Sequence, residues 1–96
     1  MSKYCYVYVL RSASDHRFYV GLTRHLPNRL QAHNQGLVNS TKTRRPFQLV
    51  YWEGCLNEAD AAKREKYLKT AWGKRYLKAR LRKFLTNSPV TIDINT

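Results

Sequence analysis

The first part of the chain alternates between two faces, as a β-strand does. Every second residue from 4 to 10 falls on one face, and these are Tyr4, Tyr6, Tyr8 and Leu10. The polar segment SASDHR then offers side chains that hydrogen-bond to the backbone in turns, and a second apolar run extends from Phe18 to Leu22. The pattern predicts an antiparallel hairpin with strands at residues 4–11 and 18–22.

The middle of the chain predicts one short helix and a third strand. Pro27 suits the first turn of a helix and Gly36 suits its end, so a helix is expected from Pro27 to about Gln35. A polar loop without acidic residues, at positions 36–46, leads into a run of β-favouring residues at 47–52. This run predicts the third strand.

The last part of the pattern predicts two more helices. Asn57 is a favourable N-cap, and the apolar spacing after it supports a helix to about Trp72. Gly73 is expected to break this helix, because glycine is a poor helix former. From Lys74 to about Leu85 the apolar residues fall on one stripe, which predicts a second helix.

These elements predict an α/β fold in which a small three-stranded antiparallel sheet is flanked by about three helices. The 96 residues suit one domain, at residues 1–86, followed by a loosely held tail at 87–96. No apolar run approaches the roughly 20 residues of a membrane span, and the first residues lack the pattern of a signal peptide. A cytoplasmic location is expected, with Cys5 and Cys55 as reduced, semi-buried thiols.

The charge balance predicts a polyanionic partner. The chain has 18 Lys and Arg against 6 Asp and Glu, a formal net charge of +12. Between Lys63 and Lys83 stands a single acid, Glu65, whereas a merely solvated helix surface would mix acids among its bases. The cationic helix has too few exposed large apolar residues for membrane insertion, so nucleic acid is favoured over anionic lipid as the partner. The cations expected to contact it are Lys42, Arg44, Arg45, Lys63, Lys66, Lys69, Lys74 and Arg75.

An ordered set of motifs resembles the GIY-YIG nuclease domain. It consists of Tyr6-Val7-Tyr8, Tyr19-Val20-Gly21, then Arg29 and His33 in RLQAH, and finally Glu65 in AAKREKYLK. The segments NSTKTRRPFQLVYWE and EKYLKTAWGKRYLK resemble small stand-alone members related to the nuclease domain of excinuclease ABC, which implies a DNA-repair setting. Two features depart from the family pattern: Tyr6 stands where Gly is frequent, and no counterpart is evident for the Asn that some members carry after the Glu.

The resemblance implies a role for each matched residue. Tyr8 assists the activation of water, Tyr19 positions groups around the phosphate, and Glu65 binds a metal. The residue types suit this chemistry, since Mg²⁺ (or Mn²⁺) is held by one or two carboxylates together with phosphate oxygens. Arg29 can contact two phosphate oxygens, and His33 can share a proton or orient a neighbour. Free tyrosine has a pKa of about 10, and nearby cations together with a bound metal are expected to favour its phenolate form.

The sequence therefore predicts a metal-dependent DNA endonuclease with a single-metal site. The alternative is a nucleic-acid-binding module that retains the fold and the cations without cleaving. Simpler interpretations of single residues also stay open: the tyrosines could be packing residues, His33 could cap its helix, and Glu65 could pair with Lys69 at i,i+4. Specificity could rest on DNA shape, on the loop cations or on a partner protein.

Overall fold

A computed structural model describes residues 3–87 and contains one three-stranded antiparallel sheet. Its strands are β1 (Cys5–Ser12), β2 (Phe18–Thr23) and β3 (Phe47–Cys55), in the spatial order β2-β1-β3. The predicted α/β fold is confirmed, and β3 extends three residues beyond its predicted end at Trp52. Residues 88–96, most of the predicted tail, lie outside the described part of the chain.

The central strand β1 fixes which residues meet across the sheet. Tyr8 lies opposite Gly21 on β2 and opposite Trp52 on β3. The pairing with β3 shifts between Val9 and Leu10, so that β3 carries one additional residue there. Directly opposed residues of antiparallel strands point to the same face, and this register therefore places Tyr8 and Trp52 on one side of the sheet.

Both faces of the sheet are covered, as the alternation along β1 requires. One face buries Cys5, Val7 and Val9 against the helices α2 (Glu58–Leu68) and α3 (Ala71–Arg80). The opposite face buries Tyr8, Leu10 and Phe47 against Leu26 and Leu30 of helix α1 (Leu26–Asn34). The predicted distribution of side chains between the two faces is confirmed, and it places the tyrosine-rich face under α1.

Local sequence signals account for both ends of α1 and for the start of α2. Pro27 lies in the first turn of α1, and Gly36 follows the helix with φ of 77°, a left-handed conformation that glycine adopts without strain. Asn57 caps α2 as predicted, because its side-chain oxygen accepts hydrogen bonds from the backbone N–H groups of Ala59 and Asp60 at 2.8 and 3.2 Å.

The prediction that Gly73 ends a long helix is wrong. Helix α2 already ends at Leu68, and Thr70 caps α3 by accepting a hydrogen bond from the Gly73 N–H at 3.1 Å. Gly73 lies buried inside the first turn of α3, where a Cβ atom would collide with the carbonyl oxygen of Tyr67. Glycine is required here for close packing of two helices, and this requirement outweighs its low helix propensity.

The second predicted helix is interrupted in the structure. Helix α3 ends at Arg80, and a short helix α4 (Arg82–Thr86) follows after Leu81, which both caps α3 and precedes α4. The apolar stripe expected over residues 74–85 is therefore divided between two helices. No helix among residues 3–87 is long and apolar enough to cross a membrane.

The two cysteines are distant in sequence but opposite each other in the sheet. Cys5 of β1 pairs in register with Cys55 of β3, and both are free thiols. Cys5 is buried in the core beside α2 and α3, whereas Cys55 is half-buried.

A polar cluster ties β3 to the helices behind it. Arg64 of α2 donates hydrogen bonds to both carboxylate oxygens of Glu53, at 2.9 and 2.8 Å, and its guanidinium lies 5.2 Å from the ring centre of Tyr67 and 4.9 Å from that of Tyr76. Tyr51 also donates to Glu53, at 2.8 Å. Burial opposes ionisation of Glu53, but the hydrogen bonds from Arg64 and Tyr51 lower the pKa of its carboxyl group.

Candidate active site

Tyr8 lies at the centre of the candidate site, and its position explains the glycine across the sheet. The Tyr8 ring crosses above Gly21, where a Cβ atom would collide with the phenol hydroxyl. Tyr8 is only 1% exposed. The glycine that closes the motif Tyr19-Val20-Gly21 therefore provides the space that Tyr8 occupies, which the sequence alone did not reveal.

A chain of hydrogen bonds joins Tyr8 to α1 and to the following loop. The Tyr8 hydroxyl lies 2.9 Å from His33 Nε2, and His33 Nδ1 lies 2.8 Å from Thr41 Oγ1. Thr41 donates its own proton to the carbonyl oxygen of Val38 at 3.4 Å. Thr41 thus accepts from the Nδ1–H of His33, which leaves Nε2 as the acceptor of the Tyr8 proton.

Arg29 completes this chain from the other side. Its Nε–H donates to the Tyr8 oxygen at 3.4 Å, the longest contact that Tyr8 makes with α1. The helix is fixed over the sheet at its end, where Asn34 accepts from the N–H of Phe47 at 2.7 Å and donates to the Phe47 carbonyl at 3.0 Å. This clamp holds Arg29 and His33 above Tyr8.

The pKa values in this cluster shift toward neutral side chains. Burial raises the pKa of Tyr8, Arg29 opposes the rise through its hydrogen bond, and the charges of Tyr19 and Glu65 add to it. Burial and the charge of Arg29 lower the pKa of His33. Arg29 lowers the pKa of Tyr8, as expected of a neighbouring cation, but in the protein without a metal ion desolvation outweighs this effect and the pKa is raised. At neutral pH a phenol donates to a neutral imidazole.

Tyr19 forms the aromatic wall of the site. Its ring centre lies 6.4 Å from that of Tyr8, 5.0 Å from that of His33 and 6.5 Å from that of Phe47. Tyr19 is half-buried, so it is more accessible than Tyr8. The structure thus brings together on one face the two tyrosines of the motifs, which stand 11 positions apart in sequence.

Glu65 lies on α2, the helix that packs on the face of the sheet opposite α1. Its carboxylate lies 3.3 Å from the ammonium group of Lys69, so the simple i,i+4 pair foreseen as an alternative does form. Its negative charge also contributes to the raised pKa of Tyr8, which places it within electrostatic range of the phenol. The Glu65 side chain is 22% exposed, accessible to solvent on one side.

A divalent cation is compatible with this carboxylate. Among residues 3–87 no group of three or more His, Cys, Asp or Glu side chains could enclose a metal ion. Mg²⁺ does not require such a cage, because it retains waters and binds through one or two carboxylates with substrate phosphate oxygens. The donor chemistry of Glu65 fits that mode of binding.

Most of the cations predicted to contact DNA are exposed. The exposed ones are Lys42, Arg45, Lys63, Lys66, Lys69, Lys74 and Arg75. Arg44 differs, because it donates to Asp15 at 2.6 Å and its guanidinium lies 5.6 Å from the ring centre of Phe47. The hydrogen bond from Arg44 lowers the pKa of Asp15 to about 2, and we infer that Arg44 ties the loop to the hairpin turn.

Thr41 is a site residue that the sequence analysis missed. It is fully buried and orients His33, yet it stands in a polar loop between Ser40 and Lys42, where no pattern distinguishes it. Only the folding of this loop against α1 brings it to the imidazole.

Comparison with known proteins agrees with this fold. The family model of the GIY-YIG catalytic domain matches residues 4–79, and the chain belongs to this family. The family is nuclease-like, as the sequence motifs indicated.

Small proteins called UPF0213 are among its relatives. A UPF0213 protein of Pediococcus pentosaceus is 48% identical over 61 residues, 62% of this chain and 63% of that protein, so the match spans less than two thirds of the relative. One from Clostridium perfringens is 42% identical over 65 residues, covering 67% of this chain and 69% of the relative. The solution NMR structure of a UPF0213 protein from Bacillus halodurans is similar with a TM-score of 0.51 and 28% identity, over 79% of this chain and 83% of that one.

Proposed function

We propose that this protein is a metal-dependent DNA endonuclease that hydrolyses phosphodiester bonds at a single-metal site. The observation that carries the proposal is the buried chain of hydrogen bonds from Arg29 through Tyr8 and His33 to Thr41. A phenol that donates to an imidazole of lowered pKa can pass its proton on when it takes one from water. A packing role for Tyr8 alone does not require this sequence of donors and acceptors.

Water activation follows from the directions of these bonds. The Tyr8 oxygen accepts a proton from the attacking water while its own proton moves to His33 Nε2, so no free phenolate has to accumulate. The resulting imidazolium is oriented by Thr41, which accepts from Nδ1–H. This route removes the difficulty that burial raises the pKa of Tyr8.

Arg29 would move between two acceptors in this mechanism. Because Tyr8 is 1% exposed, water reaches its oxygen only when a neighbouring group gives way. The 3.4 Å contact from Arg29 is the longest bond that the Tyr8 hydroxyl makes, and phosphate is a stronger acceptor for a guanidinium than a phenol. Arg29 turning to the phosphate would free one acceptor position on Tyr8 for water.

Glu65 would hold Mg²⁺ or Mn²⁺ together with phosphate oxygens of the DNA. Such an ion stabilises the negative charge on the phosphate and on the leaving oxygen. Lys69 must then release the carboxylate or share it, which their 3.3 Å contact at the protein surface permits. A DNA-repair setting, a cytoplasmic location and a partner protein that supplies specificity stay predictions.

The test is incubation with duplex, flapped and branched DNAs, with and without Mg²⁺ or Mn²⁺. We expect the wild-type protein to cut at least one substrate and to stop when the cation is chelated. Glu65→Gln should abolish cutting while DNA binding is retained, because the metal ligand is lost and a negative charge near the phosphate is removed. Arg29→Ala should weaken both binding and turnover. Wild-type turnover by Glu65→Gln would contradict the proposal, and binding without cutting by the wild type would favour the non-cleaving module.

A further inference from the structure

Trp72 is a large aromatic side chain presented to solvent at a rigid corner. It lies in the first turn of α3 and is 66% exposed. The backbone on either side of it is fixed, because Thr70 caps the helix and Gly73 packs against the end of α2. The ring therefore projects from a position that the core determines, rather than from a mobile loop.

The surroundings of Trp72 are cationic. The guanidinium of Arg75 lies over one face of the indole ring, 4.7 Å from its centre. Lys69 and Lys74 are exposed nearby in sequence, and positions 66–92 contain no acidic residue. An exposed aromatic ring among cations is the combination on which the bases of a single strand stack while its phosphates are neutralised.

This corner is linked along the chain to Glu65, the proposed metal ligand of the candidate active site. Lys69, whose ammonium group contacts Glu65 at 3.3 Å, precedes Trp72 by three residues. Three residues span at most about 11 Å between Cα atoms. With a rise of about 3.4 Å per nucleotide, this upper limit means that Lys69 and Trp72 can contact the same strand within about three nucleotides.

Trp52, which is 53% exposed, differs in its surroundings. Its ring meets the ring of Tyr6 edge to face at 5.5 Å and lines a groove with Leu26, Leu30 and Leu49. The groove also contains Arg24, whose charge is paired with Glu58, whereas the indole ring of Trp72 carries Arg75 over one face. Trp52 therefore offers a matched control of the same residue type.

We propose that Trp72, with Arg75 stacked on it, binds an unpaired nucleobase of a DNA strand close to the scissile phosphate. The protein would then prefer DNA that carries a single-stranded segment over intact duplex, in which the bases are stacked on one another and are not available to the indole. The position relative to the cut rests on the proposed endonuclease function, but the base-stacking surface does not.

The test measures DNA binding in the Glu65→Gln background, where cleavage cannot change the substrate. Affinities for a single strand, a flapped duplex and a blunt duplex are compared at one salt concentration. Trp72→Ala should weaken binding to the single strand and the flap by about five-fold or more and leave duplex binding nearly unchanged. Trp72→Phe should retain most of the preference for unpaired DNA, and Trp52→Ala should leave the ratio of single-strand to duplex affinity unchanged.

A second measurement observes the contact directly. In a Trp52→Phe variant Trp72 is the remaining tryptophan of the chain, and a single strand should quench its fluorescence more than a blunt duplex. The inference would be overturned if Trp72→Ala reduced the affinity for all three DNAs equally. It would also be overturned if Trp52→Ala caused the same selective loss of affinity for the single strand and the flap. Because these are binding measurements, the base-stacking inference can fail while wild-type cleavage succeeds. Equally, base stacking can be observed while the wild-type protein does not cut DNA.

Discussion

At the scale of single residues, the candidate site depends on the absence of a side chain at Gly21 as much as on the side chains around it. Gly21 leaves open the volume that the Tyr8 phenol fills, and the phenol then reaches His33 at 2.9 Å. Thr41 fixes the orientation of the imidazole from the other side. The acid-base properties of Tyr8 therefore follow from its neighbours, since an exposed tyrosine would have neither the burial nor the acceptor.

Substituting Gly21 with Ala should displace Tyr8 and impair the site. A new Cβ atom would collide with the hydroxyl, and such overpacking costs about 1–3 kcal/mol of stability. Gly54→Ala is the matched control, because a Cβ atom there would meet the Tyr6 ring at 3.4 Å, an ordinary contact. Thermal unfolding and cleavage assays of both variants check this. Equal melting temperatures for the two variants would contradict the arrangement of Tyr8 over Gly21.

The buried imidazole should make stability depend on pH. Since the pKa of His33 is lowered in the folded protein from its ordinary value of 6.5, the unfolded chain binds a proton that the native state does not. Stability should fall as pH decreases through about 6.5 and level off below the lowered pKa. Denaturant unfolding between pH 7 and 5 should show this slope, and it should be smaller in His33→Gln. Identical slopes for the two proteins would show that His33 titrates normally.

At the scale of elements, ionic contacts attach β3 to α2 and α3 behind the sheet. Arg64 makes two hydrogen bonds to Glu53 and lies between two tyrosine rings, whereas the pair Arg24 and Glu58 joins two exposed side chains at 3.1 Å. Desolvation and two-pronged geometry make the first pair stronger than the second. The position of α2, and with it that of Glu65, therefore depends on the Arg64 cluster.

Removing either partner of this pair should destabilise the protein. We expect Arg64→Met to lower the free energy of unfolding by about 1–3 kcal/mol, because Glu53 then loses its charged donor. Glu58→Gln should change it by about 0–1 kcal/mol, as is usual for exposed pairs. The measurement is denaturant titration of Arg64→Met, of Glu53→Gln and of the double variant Glu53→Gln/Arg64→Met. Glu58→Gln is the control. Additive losses in the double variant would contradict the pairing.

At the scale of the whole molecule, the net charge of +12 would speed encounters with DNA, the partner that we propose. Seven of the eight predicted contact cations are exposed, and the eighth, Arg44, is held by Asp15. A broad cationic surface supplies affinity that depends little on base sequence. The aromatic corner at Trp72 would add a preference for unpaired strands to this general attraction.

DNA affinity should therefore fall steeply with salt. Between about 50 and 200 mM salt we expect a tenfold or greater loss of affinity, because the release of counterions from the DNA becomes less favourable as the salt concentration rises. Lys63→Ala and Lys66→Ala should each reduce the slope of the log-log plot by about one if they contact phosphate, whereas Arg24→Ala, which removes a cation paired with Glu58, should not. Filter binding or anisotropy titrations measure these slopes. A flat plot for the wild type would exclude the electrostatic contribution.

The sequence by itself determined the three strands, the first helix and, apart from Thr41, the residues considered for the candidate site. Alternation assigned Tyr8 and Val9 to opposite faces, and Pro27 and Asn57 marked helix starts, because these signals act over a few neighbouring positions. The ordered motifs indicated the family for the same reason: they specify residue types and spacing. The contacts between side chains that are distant in sequence could not be predicted from these local patterns.

Only the tertiary structure decided the protonation of Tyr8, the role of Thr41 and the reason why position 73 requires glycine. Burial depends on elements far apart in sequence, so the desolvation that raises the pKa of Tyr8 could not be read from the surrounding cations. The loop that carries Thr41 meets His33 only after folding. Gly73 looked like a helix end because propensity is local, whereas the close contact with Tyr67 that requires glycine arises only when α3 packs against α2.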